Sequence, residues 1–98
     1  MPTYVALFNW TDQGVRACAD TVARAENFAA MLEDVGARLV NLYWTVGEYD
    51  LIGIIEAPDD ETVSAALLRN SAAGNVRTTT LRAFTRDETA RIIAKATG

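Results

Sequence analysis

The chain has 98 residues, of which half are apolar, a net charge of −4 and no histidine. The absence of histidine excludes Ser-His-Asp and Cys-His nucleophile systems and histidine-bound zinc, copper, haem or non-haem iron, and a single cysteine excludes a thiolate cluster and an internal disulfide. The negative charge disfavours nucleic acids and anionic membranes as partners, because both attract positively charged surfaces.

A chain of this length predicts a single domain over residues 1–98. It shows neither the pattern of a secretory signal nor an apolar run long enough to span a bilayer, so we expect a cytoplasmic protein. We expect no metal, since the acidic residues lack EF-hand-like spacing, and no cofactor. Half of the residues are apolar, and a small monomer does not easily bury that much apolar surface. This composition favours a homodimer or a higher homo-oligomer.

The first third of the chain predicts a strand over residues 4–10 and then a long helix. Thr11 and Asp12 supply N-cap chemistry, Gly14 indicates an irregular or separate first turn, and Gly36 predicts a left-handed end. Apolar residues at spacings of three and four predict that one stripe faces the core, with Cys18 packed and inert: Val15, Cys18, Val22, Ala25, Ala29 and Leu32.

Two strands and a helix are predicted next. Residues 39–46 and 49–57 flank a turn at Gly47 and should form an antiparallel hairpin. A helix capped by Asp59 or Asp60 follows, and it ends at residues 74–75. Its predicted core-facing residues are Val63, Ala66 and Leu67.

The chain ends with a predicted fourth strand over residues 76–84 and a final helix. Thr85 and Glu88 have the spacing of a reciprocal capping box at the start of this helix. Ile92 and Ile93 give it a narrow apolar stripe.

This order of elements predicts an α+β fold of the ferredoxin-like βαββαβ type, with an extra C-terminal helix and a four-stranded antiparallel sheet. Both core helices should cover one face of the sheet. The inner strands are nevertheless apolar on both faces. In the third strand Ile52 and Ile54 point to one face, and Leu51 and Ile55 point to the other. We therefore expect a second subunit to lay its own sheet on the helix-free face.

The turn after the second strand carries a further signal, namely Gly47, Tyr49 and Asp50 with Glu48 interposed. With residues 10–14, 56–60 and 74–84, which also match in order, the chain resembles the GYD-domain proteins, small bacterial proteins. The resemblance implies the dimeric α/β-barrel group, in which ferredoxin-like domains pair sheet to sheet. It assigns no reaction, so the motif positions are candidates without roles.

Asp50 and Arg77 are the candidate catalytic residues. A desolvated Asp50 carboxylate would suit proton transfer, whereas an Asp50 that accepts backbone N–H bonds near the turn would serve the fold. Arg77 offers a fork of donors for an anionic or carbonyl group, or an ion pair with Asp50 or Glu48.

A second group of residues are candidates for contact with a small apolar or anionic ligand. Aromatic side chains on strands can line a pocket, although they more often form core or interface. The polar segment after Trp10 places an amide and backbone N–H groups beside an aromatic wall. The ligand-binding candidates are Trp10, Thr11, Gln13, Tyr43, Tyr49 and Thr79.

Two functions of different classes follow from these observations. The first is an oligomerising module that binds a small molecule or another protein and has no chemistry of its own. The alternative is a cofactor-independent enzyme, monooxygenase- or isomerase-like, in which Asp50 accepts a proton and Arg77 steadies negative charge. A cavity that holds both side chains favours the enzyme, whereas a location of both at the rim favours the module.

Overall fold

The chain alternates strands and helices as expected, and a computed structural model describes residues 1–98. The four strands form one antiparallel sheet in the order β2-β3-β1-β4, which confirms the ferredoxin-like topology. A short 3₁₀ turn, Cys18–Asp20, separates the first two helices. The elements are β1 (Thr3–Trp10), α1 (Asp12–Arg16), α2 (Thr21–Asp34), β2 (Arg38–Trp44), β3 (Leu51–Glu56), α3 (Asp60–Ala72), β4 (Val76–Ala83) and α4 (Arg86–Thr97).

The two faces of the sheet differ in what covers them. On one face the side chains of Tyr4, Phe8 and Ile55 are buried beneath helices α2 and α3. The opposite face carries no helix of the core and is called the helix-free face below. Its central residues, on the alternate positions of β1 and β3, are Val5, Leu7, Ile52 and Ile54.

The core lies between the sheet and helices α2 and α3. Phe28 of α2 meets Phe8 of β1 edge to face, with ring centroids 5.8 Å apart. Leu32 lies one turn further along the helix and is fully buried. Helix α3 buries the three residues that its sequence pattern predicts, namely Val63, Ala66 and Leu67.

The predicted apolar stripe of the first helix is wrong in its first half. Val15, Cys18 and Val22 are exposed, and only the later part of the stripe approaches the core. The cause is a break at Ala17, where the backbone leaves the helical region (φ −97°, ψ 28°) and a 3₁₀ turn follows. This break resets the helical phase, so residues on either side of it do not share one face.

The helix boundaries confirm the predicted caps. Asp59 accepts a hydrogen bond from the backbone N–H of Thr62, at 2.8 Å, and hydrogen bonds from Thr62 hold the pKa of Asp59 below its usual value. Thr85 and Glu88 form the reciprocal capping box of α4. Gly36 ends α2 in the left-handed region with φ 78°.

Helix α4 stands apart from the core. None of its residues is buried, and Ile92 and Ile93 are 41% and 54% exposed. An isolated helix of this length is only marginally stable in water, because the free-energy cost of nucleation exceeds the gain from a few turns of hydrogen bonds. Its apolar stripe is therefore left uncovered by the rest of the chain. No helix of the chain has the length and apolar character needed to cross a bilayer.

A buried tyrosine joins the sheet to the start of α3. The hydroxyl of Tyr4 donates a hydrogen bond to the carboxylate of Asp60, and the guanidinium of Arg82 lies 5.7 Å from the Tyr4 ring centroid. Tyr4 is only 3% exposed. Burial, followed by the hydrogen bond to Asp60, raises the pKa of Tyr4 from 10.0 to about 12.

This raised pKa predicts a loss of stability in alkaline solution. Below pH 10 the tyrosine is protonated in both states, so its contribution is complete. Between pH 10 and about 12 the unfolded chain loses this proton while the folded chain keeps it, so the free energy of unfolding should fall. Urea unfolding of the wild type and of Tyr4→Phe over this range tests it, since the variant lacks this part of the slope. Parallel profiles for the two proteins would contradict the assignment.

Candidate functional site

A cavity of about 340 Å³ that is partly open to solvent lies between the sheet and the two core helices. It occupies the end of the core at which β1 ends, β3 and β4 begin, and α3 finishes. The other end of the core is filled by Leu32, Ile55 and Val63, which are almost completely buried. The cavity is lined by Phe8, Trp10, Thr21, Arg24, Ala25, Asn27, Phe28, Met31, Leu42, Leu51, Arg69, Asn70, Ala73, Asn75 and Val76.

The charged groups of this cavity are two arginines, and its lining contains no acidic residue. Arg24 donates to the carbonyl oxygens of Ala17 at 2.7 Å and Gly14 at 3.4 Å, which fixes its guanidinium without neutralising it. Arg69 takes part in no ion pair, since the ion pairs of the chain join other arginines to glutamates. The cavity is therefore positively charged in a protein whose net charge is −4.

One polar atom of the cavity lining has no partner. The indole Nε1–H of Trp10 is buried and donates to no acceptor. It is the single buried side-chain nitrogen or oxygen in the chain without a hydrogen bond. A buried donor left without an acceptor costs free energy.

The polar segment after Trp10 binds another part of the chain. The N–H of Thr11 donates to the carbonyl of Asn75 at 3.0 Å, and its hydroxyl donates to the carbonyl of Gly74. Gln13 donates from Nε2 to the carbonyl of Ala73 at 2.9 Å and to Oδ1 of Asn75 at 3.0 Å. These two ligand-binding candidates therefore hold the turn between α3 and β4 in place, at the edge of the cavity.

Asp50 also bonds within the chain. Its carboxylate accepts the backbone N–H of Trp10 at 2.8 Å, and its own N–H donates to the carbonyl of Phe8 at 2.9 Å. The carbonyl of Tyr49 accepts the hydroxyl of Thr45. Asp50 thus ties the β2–β3 connection to the end of β1, as expected if Asp50 serves the fold, whereas the carbonyl of Tyr49 bonds within that connection.

The remaining candidates lie on the helix-free face of the sheet. Tyr43 pairs with Ile52, and Thr79 pairs with Leu7, so these side chains share one row across the sheet. Arg77 lies opposite Asn9 on the same face. Asp50 and Arg77 form no ion pair, and neither of them lines the cavity. Of the six ligand-binding candidates, only Trp10 lines it.

Sequence reasoning did not identify the arginines and amides of the cavity. Arg24 and Arg69 resemble ordinary surface residues of amphipathic helices, and only the fold brings them together. Asn70 and Asn75 lie in the end of a helix and the turn after it, where amides commonly serve the turn itself. The one available signal was their location beside Gly74, the predicted end of that helix.

Comparison with known proteins identifies relatives of the whole domain. Residues 4–93 match the family described as GYD domain. A Thermus thermophilus protein named as a glutamine synthetase and cystathionine beta-lyase binding protein is 37% identical over 85 residues, covering 86% of this chain and 90% of that protein.

Solved structures with low sequence identity share the fold. A feast or famine regulatory protein from M. tuberculosis, complexed with L-methionine, superposes with a TM-score of 0.64 at 16% identity, over 87% of this chain and 51% of the regulator. A protein of known structure from Thermus thermophilus gives a TM-score of 0.55 at 21% identity, over 87% of this chain and 95% of its own. This chain thus spans about half the length of the regulator, and these likenesses support the ferredoxin-like fold alone.

Proposed function

Since this chain belongs to the GYD-domain family, we propose that it is a protein-binding module without chemistry of its own. In this proposal two copies pair through their helix-free faces, and the pair binds a metabolic enzyme. The observation that carries the proposal is the apolar character of a sheet face that the chain does not cover.

The helix-free face consists of rows of apolar side chains across the strands. Ile54 of β3 lies beside Val5 of β1, which lies beside Leu81 of β4. The next row contains Ile52 and Leu7 at its centre. The charged groups of this face lie toward its ends, where Arg38 forms a 2.7 Å ion pair with Glu56. Water in contact with such a surface is costly, so a covering partner stabilises it.

A second copy fits this surface by size and by symmetry. The sheet measures four strands by about eight residues, which at strand spacings of about 4.8 Å and 3.3 Å per residue gives roughly 500 Å². A stable interface buries roughly 800 Å² per partner, and the exposed stripe of helix α4 is a further apolar surface that pairing could cover. An isologous pair places identical apolar centres opposite each other, which requires no second gene product.

The thin shape of the chain agrees with a missing layer. The chain measures 52 × 31 × 18 Å, and its shortest dimension corresponds to one sheet and one layer of helices. Sheets that are apolar on both faces are normally covered on both. Pairing sheet to sheet supplies the third layer for each copy.

The binding of another protein is supported by the named relative. At 37% identity over most of both chains, the Thermus protein is named for binding glutamine synthetase and cystathionine beta-lyase. The internal bonding of Asp50 also favours association over catalysis, because the carboxylate already serves the fold. We therefore propose an enzyme of amino-acid metabolism, glutamine synthetase first, as the partner.

Biolayer interferometry tests this partner. The chain is immobilised on the sensor, which is then dipped into solutions of glutamine synthetase and of cystathionine beta-lyase from the same organism. An unrelated enzyme of similar charge and mass serves as the control. We expect saturable binding of at least glutamine synthetase and none of the control. Circular dichroism and native mass establish beforehand that the immobilised chain is folded and paired. If neither enzyme then binds it, the proposed partner is wrong.

A further inference from the structure

The cavity between the sheet and the helices has a chemical character that protein pairing does not explain. Nine of its lining residues are apolar, and its only charges are those of Arg24 and Arg69. Neither guanidinium meets a carboxylate of the chain, although the chain contains thirteen acidic residues. A positive group beside an apolar cavity is stabilised when an anion binds it.

Two further polar groups of residues that line the cavity have no hydrogen-bond partner in the chain. The indole N–H of Trp10 is buried without an acceptor, and the side-chain amide of Asn70, a partly buried residue, forms no hydrogen bond within the chain. Both groups are hydrogen-bond donors, and a carboxylate offers two acceptor oxygens with several lone pairs. Two guanidiniums that face no carboxylate of the chain, and donors without an acceptor in it, are separate observations that favour the same kind of ligand.

The apolar residues of the lining indicate that the rest of the ligand is apolar and aromatic. Phe8, Trp10 and Phe28 provide aromatic walls, and Met31 and Leu42 add flexible apolar contacts. The volume of about 340 Å³ is at the lower end of the range for small-molecule sites. A highly charged phosphate ester would meet few donors and much apolar surface here. A monoanion with an aromatic body instead suits both the small number of donors and the apolar walls.

We propose that this cavity binds a small aromatic carboxylate, whose carboxylate group pairs with Arg69 and Arg24 and whose ring contacts Phe8, Trp10 and Phe28. This site lies on the side of the sheet opposite to the pairing face. Binding of the carboxylate therefore requires neither the second copy nor the protein partner, and it is measured on the isolated chain.

Calorimetric titration with 3-phenylpropanoate and with 3-phenylpropan-1-ol tests the proposal. The two probes share ring and linker and differ in the anionic group. We expect the acid to bind at least about tenfold more tightly than the alcohol, because a charge-assisted hydrogen bond is lost with the carboxylate. The indole N–H resonance of Trp10, assigned with Trp44→Phe, should shift on addition of the acid.

Two variants separate the arginines from other effects. Arg69→Gln removes an exposed guanidinium from α3 and should weaken the acid about tenfold while leaving the alcohol unchanged. Arg91→Gln on α4 is the matched control, since Arg91 does not line the cavity, and it should bind the acid as the wild type does. Arg24→Gln should weaken the acid in the same direction as Arg69→Gln.

The proposal is overturned by any of three results. The first is the absence of binding by 3-phenylpropanoate to the folded wild type at millimolar concentration. The second is equal affinity for the acid and the alcohol. The third is acid binding that neither Arg69→Gln nor Arg24→Gln weakens in variants that retain the wild-type circular dichroism spectrum.

Discussion

If two copies pair as proposed, replacing Ile54 by aspartate is expected to convert the pair into a folded monomer. Ile54 is half-buried, lies at the centre of the helix-free face and does not belong to the buried core cluster. In an isologous pair the substitution would bury two unpaired carboxylates, at a cost of at least about 3 kcal/mol, or more than about a hundredfold in affinity. Size-exclusion chromatography with light scattering should show the mass halved.

Leu68→Asp provides the matched control for this experiment. Leu68 lies on α3 and is 72% exposed, on the opposite side of the sheet. The same kind of substitution there introduces the same charge without touching the pairing face, so the mass should stay that of the wild type. If Ile54→Asp keeps the wild-type mass, or if both variants lose it equally, pairing through the helix-free face is contradicted.

Replacing Gly14 by alanine is expected to cause the largest loss of stability among single-methyl changes. A Cβ at this position would lie 1.9 Å from the carbonyl oxygen of Asn75, which is backbone and cannot rotate away. The turn after α3 would have to move and loosen its hydrogen bonds to Thr11 and Gln13. We expect a loss of about 2–3 kcal/mol, or a fall in Tm of about 10 °C or more.

Gly53→Ala is the control for the Gly14 substitution. At Gly53 an added Cβ would approach side chains no closer than 3.4 Å, an ordinary contact with Phe8 and Leu42. This variant should differ from the wild type by much less than Gly14→Ala in thermal unfolding followed by circular dichroism. Equal stability of Gly14→Ala and the wild type would show that the turn is not held as described.

The sequence predicts those parts of the fold that depend on local chemistry. The capping box of Thr85 and Glu88 and the core face of α3 needed only spacing and side-chain type, and both are confirmed. The topology followed from the order of the elements, because few arrangements connect them without crossing. The double-sided apolar pattern of β3 likewise identified the helix-free face.

The prediction for the first helix is wrong in one part and confirmed in another. The stripe through Val15 and Val22 fails because the chain leaves the helix at Ala17, a residue that carries no breaking signal of its own. The separate first turn that Gly14 indicates is confirmed, since α1 ends at Arg16. The approach of Asn75 to Gly14, from far along the chain, is not visible in a local window of sequence.

The candidate site illustrates the same limit. Thr11 and Gln13 were expected at a ligand mouth because of their donors, and those donors are used by the turn at residues 73–75. The cavity draws Arg24 and Arg69 from two helices that meet only in the folded chain. Trp10 is the point at which the sequence-based expectation and the cavity agree, since its aromatic character and polar N–H were both visible in the sequence.

Sedimentation equilibrium of the wild-type chain over a dilution series tests pairing most directly. We predict a mass of at least twice 10.6 kDa at micromolar concentration, with the single-chain mass appearing only on strong dilution. A folded species of 10.6 kDa that persists at every concentration up to about the millimolar range would show that the apolar sheet face is stable in water. That result would contradict the proposal that a second copy covers it.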